Sequence, residues 1–209
     1  MANMEPILDQ LIDQLTQDEN FIPSSRQSVL DSLVHAIRKE QKTRKAVRLN
    51  FICTHNSRRS QMAQIWAHAA AVAFQIPHVK TFSGGTQTTA FHLNAVRAMR
   101  TLGFKITLSD QQPDHMNPRY EVSVGTGLPV LICFSKQFEQ SLPSDTPFIA
   151  VMTCSDADQN CPIVPGAISR IPLTFEDPKA FDGTEKAQQG YLNTAVNIGR
   201  EIISVFRRL

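Results

Sequence analysis

The stretch that decides the fold is Val47-Arg48-Leu49-Asn50-Phe51-Ile52-Cys53-Thr54-His55-Asn56-Ser57-Arg58-Arg59-Ser60-Gln61-Met62-Ala63. Val47 to Ile52 reads as a strand and Cys53 to Ser60 as a turn. A helix follows, because Met62, Ile65, Trp66, Ala69, Ala70 and Ala73 recur at i, i+3, i+4 spacing. A loop entering a helix N-terminus presents backbone N–H groups without intrahelical partners, and such groups bind tetrahedral anions. If the loop curls, successive amides converge into a nest with Cys53 at its base.

Each side chain of the loop then has a chemical reading. A helix N-terminus flanked by arginines is the setting in which a thiol is held as a nucleophilic thiolate. Arg59 closes the loop and can donate two parallel hydrogen bonds to an oxyanion. The Ser60 hydroxyl can donate to the Cys53 sulfur, and Asn56 can hold the loop's shape through bonds to the backbone. Thr54, His55, Asn56, Ser57, Arg58 and Ser60 thus form the anion-binding loop. The side chains of His55 and Arg58 are expected to point outward, with no chemical role. A Cys-x5-Arg spacing alone is common, whereas Cys-x5-Arg-Ser between a strand and an amphipathic helix is much rarer. The bland alternative is a buried strand-end thiol beside solvent-facing arginines.

Upstream, Ile7, Leu8, Leu11, Ile12 and Leu15 mark one helix. Val29, Leu30, Leu33, Val34 and Ile37 mark a second, running to about Lys42 and capped by Ser24 or Ser25. Its basic exit, Arg38 to Lys45, suits a helix C-terminus. Downstream come a strand at Val79 to Phe82, a Gly84-Gly85 turn and a helix from about Phe91 to Leu102. Tyr120 to Val124 and Val130 to Phe134 flank a Gly-Thr-Gly-Leu-Pro turn and suggest a hairpin. Phe148 to Thr153 and Ile168 to Leu173 are further strands. The last helix starts near Asp182, with Glu185 completing a capping box. Strands alternating with helices imply an α/β fold, a central parallel sheet with both faces covered. The expected division is an N-terminal helical extension at 1–45 and an α/β catalytic domain at 46–209, with an insertion near 110–145.

With 209 residues the chain is too short to make two full domains, and 42% hydrophobic with 19% charged residues suits a globular core. A net charge of +2 gives no argument for a nucleic-acid or membrane-surface partner. The start lacks the basic and apolar regions of a signal peptide, and no apolar run is long enough to span a bilayer, so the expected location is the cytoplasm. There thiols stay reduced, so cysteines in motifs suggest catalysis, redox chemistry or metal.

Cys-Thr-x-Asn-Ser-x-Arg-Ser-Gln-Met-Ala resembles the signature of the low-molecular-weight tyrosine phosphatase superfamily, and within it the arsenate reductases that take electrons from thioredoxin. The resemblance implies a small parallel sheet between helices, with the loop after the first strand. It also gives a reading to Cys154 and Cys161, which flank a polar segment after the strand at Phe148 to Thr153. Two such cysteines could ligate metal, but no second Cys or His pair accompanies them, so no metal is expected. In the reductases a Cys-x6-Cys-Pro segment shuttles oxidation to the surface. Cys154 would attack an adduct on Cys53, and Cys161 would resolve the disulfide for thioredoxin or another dithiol. Asp177, in Asp177-Pro178, matches the superfamily's general acid. Ser83 resembles a superfamily element that supports Asn56, and Cys133 reads as a small buried hydrophobe.

There are departures too. Many reductases carry a glycine where His55 stands and another cysteine where Arg58 stands. Gln64 stands where an acidic residue often helps bind potassium, so that ion is not expected. The expected enzyme is an arsenate reductase acting on arsenate through Cys53, Arg59, Asp177, Cys154 and Cys161, with no tightly bound cofactor. The alternative is a phosphatase that hydrolyses phosphotyrosine or small phosphoesters through phosphocysteine. A third option is a redox sensor or anion-binding regulator, and a homodimer through the N-terminal helices fits either kind of role.

Overall fold

The computed structural model describes residues 3–43, 46–110, 114–160 and 163–209. In chain order its elements are β1 (Asn3–Met4), α1 (Pro6–Gln17), α2 (Gln27–Thr43), β2 (Val47–Cys53), α3 (Arg59–Ala73) and β3 (Val79–Gly85). Then come α4 (Leu93–Thr101), β4 (Lys105–Leu108), β5 (Tyr120–Ser123), β6 (Gly125–Thr126) and β7 (Leu131–Cys133). The last are β8 (Phe148–Met152), α5 (Ser155–Asn160), β9 (Ala167–Ile171) and α6 (Ala187–Arg207). Four strands form the expected parallel sheet, in the order β3-β2-β8-β9. β8 is buried along its whole length and β2 almost so, which is why both read as apolar runs rather than alternating ones.

The two faces of the sheet meet different layers. Leu49, Phe51, Ile149, Val151 and Ile171 belong to the large core shared with the helices. Ile52, Phe148, Ala150 and Met152 join a smaller cluster with Ala157 of α5, Val164 and Phe138. Cys53 and Cys154 lie in that smaller cluster.

α6 is the axis of the helical layer. The indole Nε1 of Trp66 in α3 donates to the Ala195 carbonyl at 2.8 Å. Leu8, Ile12 and Leu15 of α1, with Leu30, Leu33 and Ile37 of α2, enter the same core as Ile198, Ile202 and Phe206 of α6. Arg26 makes a two-pronged pair with Glu201 of α6 at 2.9 and 2.7 Å, and Arg208 reaches Asp31 of α2 at 2.6 Å. Apart from the exposed Ile7, the apolar stripes of the N-terminal helices therefore pack into the chain's own core. Among the described residues no helix is long and apolar enough to cross a membrane.

Several local expectations are corrected. Neither Ser24 nor Ser25 caps α2, because the chain enters a 3-10 turn at Pro23 and leaves both serines inside it. The Asp182–Glu185 capping box does not form: α6 begins at Ala187, and Asp182 binds Arg58 and Tyr191 instead. Gly84-Gly85 ends β3 rather than making a turn. Its glycines are needed for close approach, since a Cβ at Gly84 would lie 2.3 Å from Phe138 Cα and one at Gly85 2.7 Å from the Thr54 carbonyl. The hairpin pairs β5 with β7 as expected, but β4 adds a third antiparallel strand. β6 pairs with β1, a contact so close that a Cβ at Gly125 would sit 2.0 Å from the Asn3 carbonyl. α4 starts at Leu93, later than Phe91, with the His92 ring accepting from the Asn94 amide at 3.3 Å.

Gly199 of α6 faces Trp66, and a Cβ there would lie 2.5 Å from Trp66 Cε2. Gly199→Ala is expected to lower stability by about 1–3 kcal/mol through overpacking, outweighing a helix-propensity gain of roughly 1 kcal/mol. Urea denaturation measures the difference, and an unchanged midpoint would mean that the α3–α6 contact yields freely.

Candidate active site

β2 lies between β3 and β8, so the chain leaves it at the point where strand order reverses. In open α/β sheets that point opens a crevice beyond the carboxyl ends of the strands. Cys53 is the last residue of β2 and α3 begins at Arg59, which leaves the loop between them over this crevice. α3 has no side-chain cap, so its first amides are available to an anion.

The loop is shaped by where its carbonyls go. The Cys53 carbonyl accepts from the Thr86 amide at 3.3 Å and that of Thr54 from the Gln87 amide at 2.8 Å. His55 O accepts from the Ser135 hydroxyl at 2.8 Å, Asn56 O from Gln61 Nε2 at 3.1 Å and Ser57 O from the His92 amide at 2.9 Å. Five successive carbonyls are thus bonded to the surrounding shell. Asn56 makes the sharpest bend, at φ 47°, a left-handed conformation that asparagine tolerates better than most residues.

At the floor, Cys53 Sγ lies 3.1 Å from Ser60 Oγ. Asn56 Nδ2 donates to Ser60 Oγ at 2.9 Å, which leaves the serine's own hydrogen for the sulfur. Asn56 is held in turn by the Lys136 amide at 3.1 Å on its Oδ1. Gln61 Nε2 also donates to the Phe134 carbonyl at 2.8 Å. Ser135 and Lys136, just beyond β7, are supports the sequence reading did not identify. Ser83, expected to support Asn56, instead has a buried hydroxyl without a partner.

Arg59 is 8% exposed and points across the loop. Its Nη1 donates to the Phe175 carbonyl at 2.9 Å and its Nη2 to Asp177 Oδ2 at 2.5 Å, while its Nε is buried without a partner. The Asp177 segment is tied down by the Phe175 amide on the Thr153 carbonyl at 3.2 Å, and Arg26 stacks 5.4 Å over the Phe175 ring. The space left over Cys53, lined by Cys53, Thr54, His55, Ser57, Arg58, Arg59 and Asp177, is about 10 Å³. In this closed form the Asp177 carboxylate occupies the guanidinium that an oxyanion would use.

Arg58 departs from expectation. Rather than pointing into solvent, it donates from Nε to Tyr191 Oη at 2.6 Å and from Nη2 to Asp182 Oδ2 at 2.8 Å. Tyr191 donates to Asp182 Oδ1 at 2.7 Å and stacks on the His92 ring. Burial raises the Asp182 pKa, but the Tyr191 hydrogen bond and the Arg58 charge outweigh it and hold the carboxyl below its ordinary value. Burial, then the Arg58 charge, push the His92 imidazole down. His55 stands half-buried at the mouth.

The second thiol lies between the neighbouring strand β8 and α5. Thr153 binds the Ile52 carbonyl through its amide at 2.7 Å, which places Cys154 beside the loop. Cys154 Sγ is fully buried, 3.5 Å from Thr54 Oγ1, and accepts from the Ala157 amide at 3.3 Å. Cys161 lies outside the described residues. Cys133 is buried as expected, its thiol pushed up by burial to about 12. Among the described residues no group of three or more His, Cys, Asp or Glu is placed to hold a metal.

No protein-family model matches the chain. It is similar to an arsenate reductase of Bacillus licheniformis, 28% identical over 145 residues, covering 68% of this chain and 81% of that protein. It is also similar to arsenate reductase 1 of Staphylococcus epidermidis, 31% identical over 135 residues, covering 65% of this chain and 80% of that protein. Among solved structures, the low-molecular-weight protein tyrosine phosphatase of T. tengcongensis aligns at a TM-score of 0.49 and 16% identity, over 78% of this chain and 100% of that one. An arsenate reductase in the phosphate-binding state aligns at 0.44 and 16% identity, over 77% and 97%.

The Asp182 network yields a pH test. A lowered carboxyl pKa stabilises the fold above the ordinary carboxylate value, and that contribution is lost as pH falls below it. Asp182→Asn is expected to be about 1 kcal/mol less stable than the parent at pH 7, allowing for partial exposure. The gap should narrow on acidification, as read from denaturation midpoints against pH. A gap that is constant with pH would refute an ionised role for Asp182.

Proposed function

We propose, from the premise that this chain belongs to the arsenate reductase family, that it reduces arsenate to arsenite through Cys53 and a relay of thiols. The observation that carries the reading is Cys154: a second buried sulfur just past the end of the adjacent strand β8, sharing an apolar cluster with Cys53 and reaching the loop at Thr54. Phosphate-ester hydrolysis has no use for a second thiol there, whereas reduction needs one.

In this reading arsenate displaces Asp177 from Arg59 and is held by the loop amides of Thr54 to Ser60 and by the guanidinium. The Cys53 thiolate attacks arsenic, and the freed Asp177 carboxylate takes a proton from the bound dihydrogen arsenate and passes it to the departing hydroxyl, which leaves as water. Ser60 stabilises the sulfur whenever it carries charge. Cys154 attacks the Cys53 sulfur, forming an S–S bond while the S–As electron pair passes to arsenic, so arsenic(V) leaves as arsenite. Cys161 then attacks Cys154, freeing Cys53 and forming the Cys154–Cys161 disulfide that a thioredoxin-type dithiol reduces. The role of Cys161 rests on its sequence spacing alone. The reading also takes 1–45 as an extension of a catalytic domain at 46–209, and the cytoplasm as the location. A second copy would dock on outward faces of the extension, where Ile7 and Phe21 are exposed.

One observation favours phosphoester hydrolysis as a second activity of the same loop. A cleft of about 650 Å³, lined in part by His55, Ser57 and Arg58, adjoins the nest, and a bare oxyanion would leave it unfilled.

The test is arsenate reduction coupled to thioredoxin, thioredoxin reductase and NADPH. Cys154→Ser and Cys161→Ser are each expected to abolish multiple turnover. Cys161→Ser should stop after one cycle with a Cys53–Cys154 disulfide visible by mass spectrometry. Full multiple turnover by Cys154→Ser would sink the relay.

A further inference from the structure

The cleft beside the nest has a composition that names its ligand. It shares His55, Ser57 and Arg58 with the cavity over Cys53, so it continues the site. None of the described residues lining it is Asp or Glu, although the chain as a whole carries 19 acidic against 21 basic residues. Arg97 and Lys179 give it fixed positive charge beyond that of Arg58, which Asp182 balances, and His55 and His115 stand beside them. The flanking carboxylates are already engaged: Asp182 by Arg58 and Tyr191, Asp114 by the amides of Met116 and Asn117 at 2.9 and 3.2 Å. The walls are apolar, with Phe91 and Tyr120 buried and Leu93 and Met116 exposed at 57% and 85%. The Arg97 guanidinium donates from Nη1 to Asn94 Oδ1 at 3.4 Å.

A low-dielectric wall lined by charges of one sign concentrates ligands of the opposite sign. An apolar wall selects a carbon skeleton, and the positive charge that Arg97 and Lys179 add beyond the balanced Arg58–Asp182 pair selects a second anionic group on it. We propose that this cleft is a leaving-group subsite for phosphomonoesters that carry a second anionic group, aryl esters fitting its apolar walls. The assignment rests on the phosphoester activity of the same loop. Cys53 attacks phosphorus and the ester P–O bond breaks, the anionic alcohol or phenol leaving through the cleft with a proton that the displaced Asp177 takes from the bound phosphomonoester monoanion; water then hydrolyses the phosphocysteine.

Phenyl phosphate and 4-carboxyphenyl phosphate, which share the scissile bond, are the probes, with Arg97→Ala and Arg97→Glu as variants outside the nest. The parent is expected to prefer the carboxylated ester by about tenfold in kcat/KM, a preference that shrinks with added salt. Arg97→Ala should bring the two esters near parity and Arg97→Glu should favour phenyl phosphate, with arsenate reduction unchanged in both. A preference that is absent in the parent, or that persists in Arg97→Glu, overturns the subsite. Calorimetry on Cys53→Ser separates the failures. Inorganic phosphate binding with 4-carboxyphenyl phosphate no tighter overturns the subsite alone. No binding of phosphate or arsenate overturns the reading of the loop itself.

Discussion

The site depends on the outward pull on five consecutive carbonyls. A peptide unit has its N–H and C=O on opposite sides, so bonding the oxygens of Cys53 to Ser57 to the surrounding shell fixes the direction of the amides between them. The shell comes from several parts of the chain: the residues after β3, the start of α4, α3 itself and the strand-end segment at Phe134 to Lys136. The partners lie in or directly beside β3, α3, α4 and β7, so the carbonyls are held with no anion bound. Preorganisation of this kind is what makes an oxyanion site effective, because little reorganisation is left for the moment of reaction.

The Arg59–Asp177 pair shows how the empty site is stabilised. A guanidinium at 9% side-chain exposure is costly without a counter-charge, and Asp177 supplies one at 2.5 Å. The two residues assigned to clamp the anion and to protonate its leaving group therefore neutralise each other at rest. In the proposed reaction an entering oxyanion would take the carboxylate's place on Arg59, and Asp177 would be freed to take up and pass on a proton. Phe175, with its carbonyl on Arg59 and its ring under Arg26, links this exchange to the segment preceding α2.

Much of this was legible in the sequence, for physical reasons. The parallel strands announced themselves because strands buried on both faces are apolar throughout, and α3 and α6 because their faces repeat at helical spacing. Cys53, Asn56, Arg59 and Ser60 were legible because one contiguous segment holds them. Contacts between distant segments were not. Nothing local marks Asn3–Met4 as the partner of Gly125–Thr126, or Ser135 and Lys136 as braces for a loop some 80 residues earlier. Capping rules failed at Asp182 because a buried arginine and tyrosine competed for the carboxylate more strongly than the helix amides did. Arg58 was misjudged for the same reason, since its partners, Asp182 and Tyr191, lie more than 120 residues away.

α6 is synthesised after every element it covers. Until it emerges, the stripes of α1 and α2 lack part of their cover and the Trp66 indole lacks the Ala195 carbonyl, so a nascent chain carries exposed apolar surface through most of its translation. The late closing of contacts between helices near opposite ends of the chain raises contact order, which slows folding. Such a chain has reason to lean on chaperones while it is being made, and the docking of α6 is the step that covers a sticky intermediate.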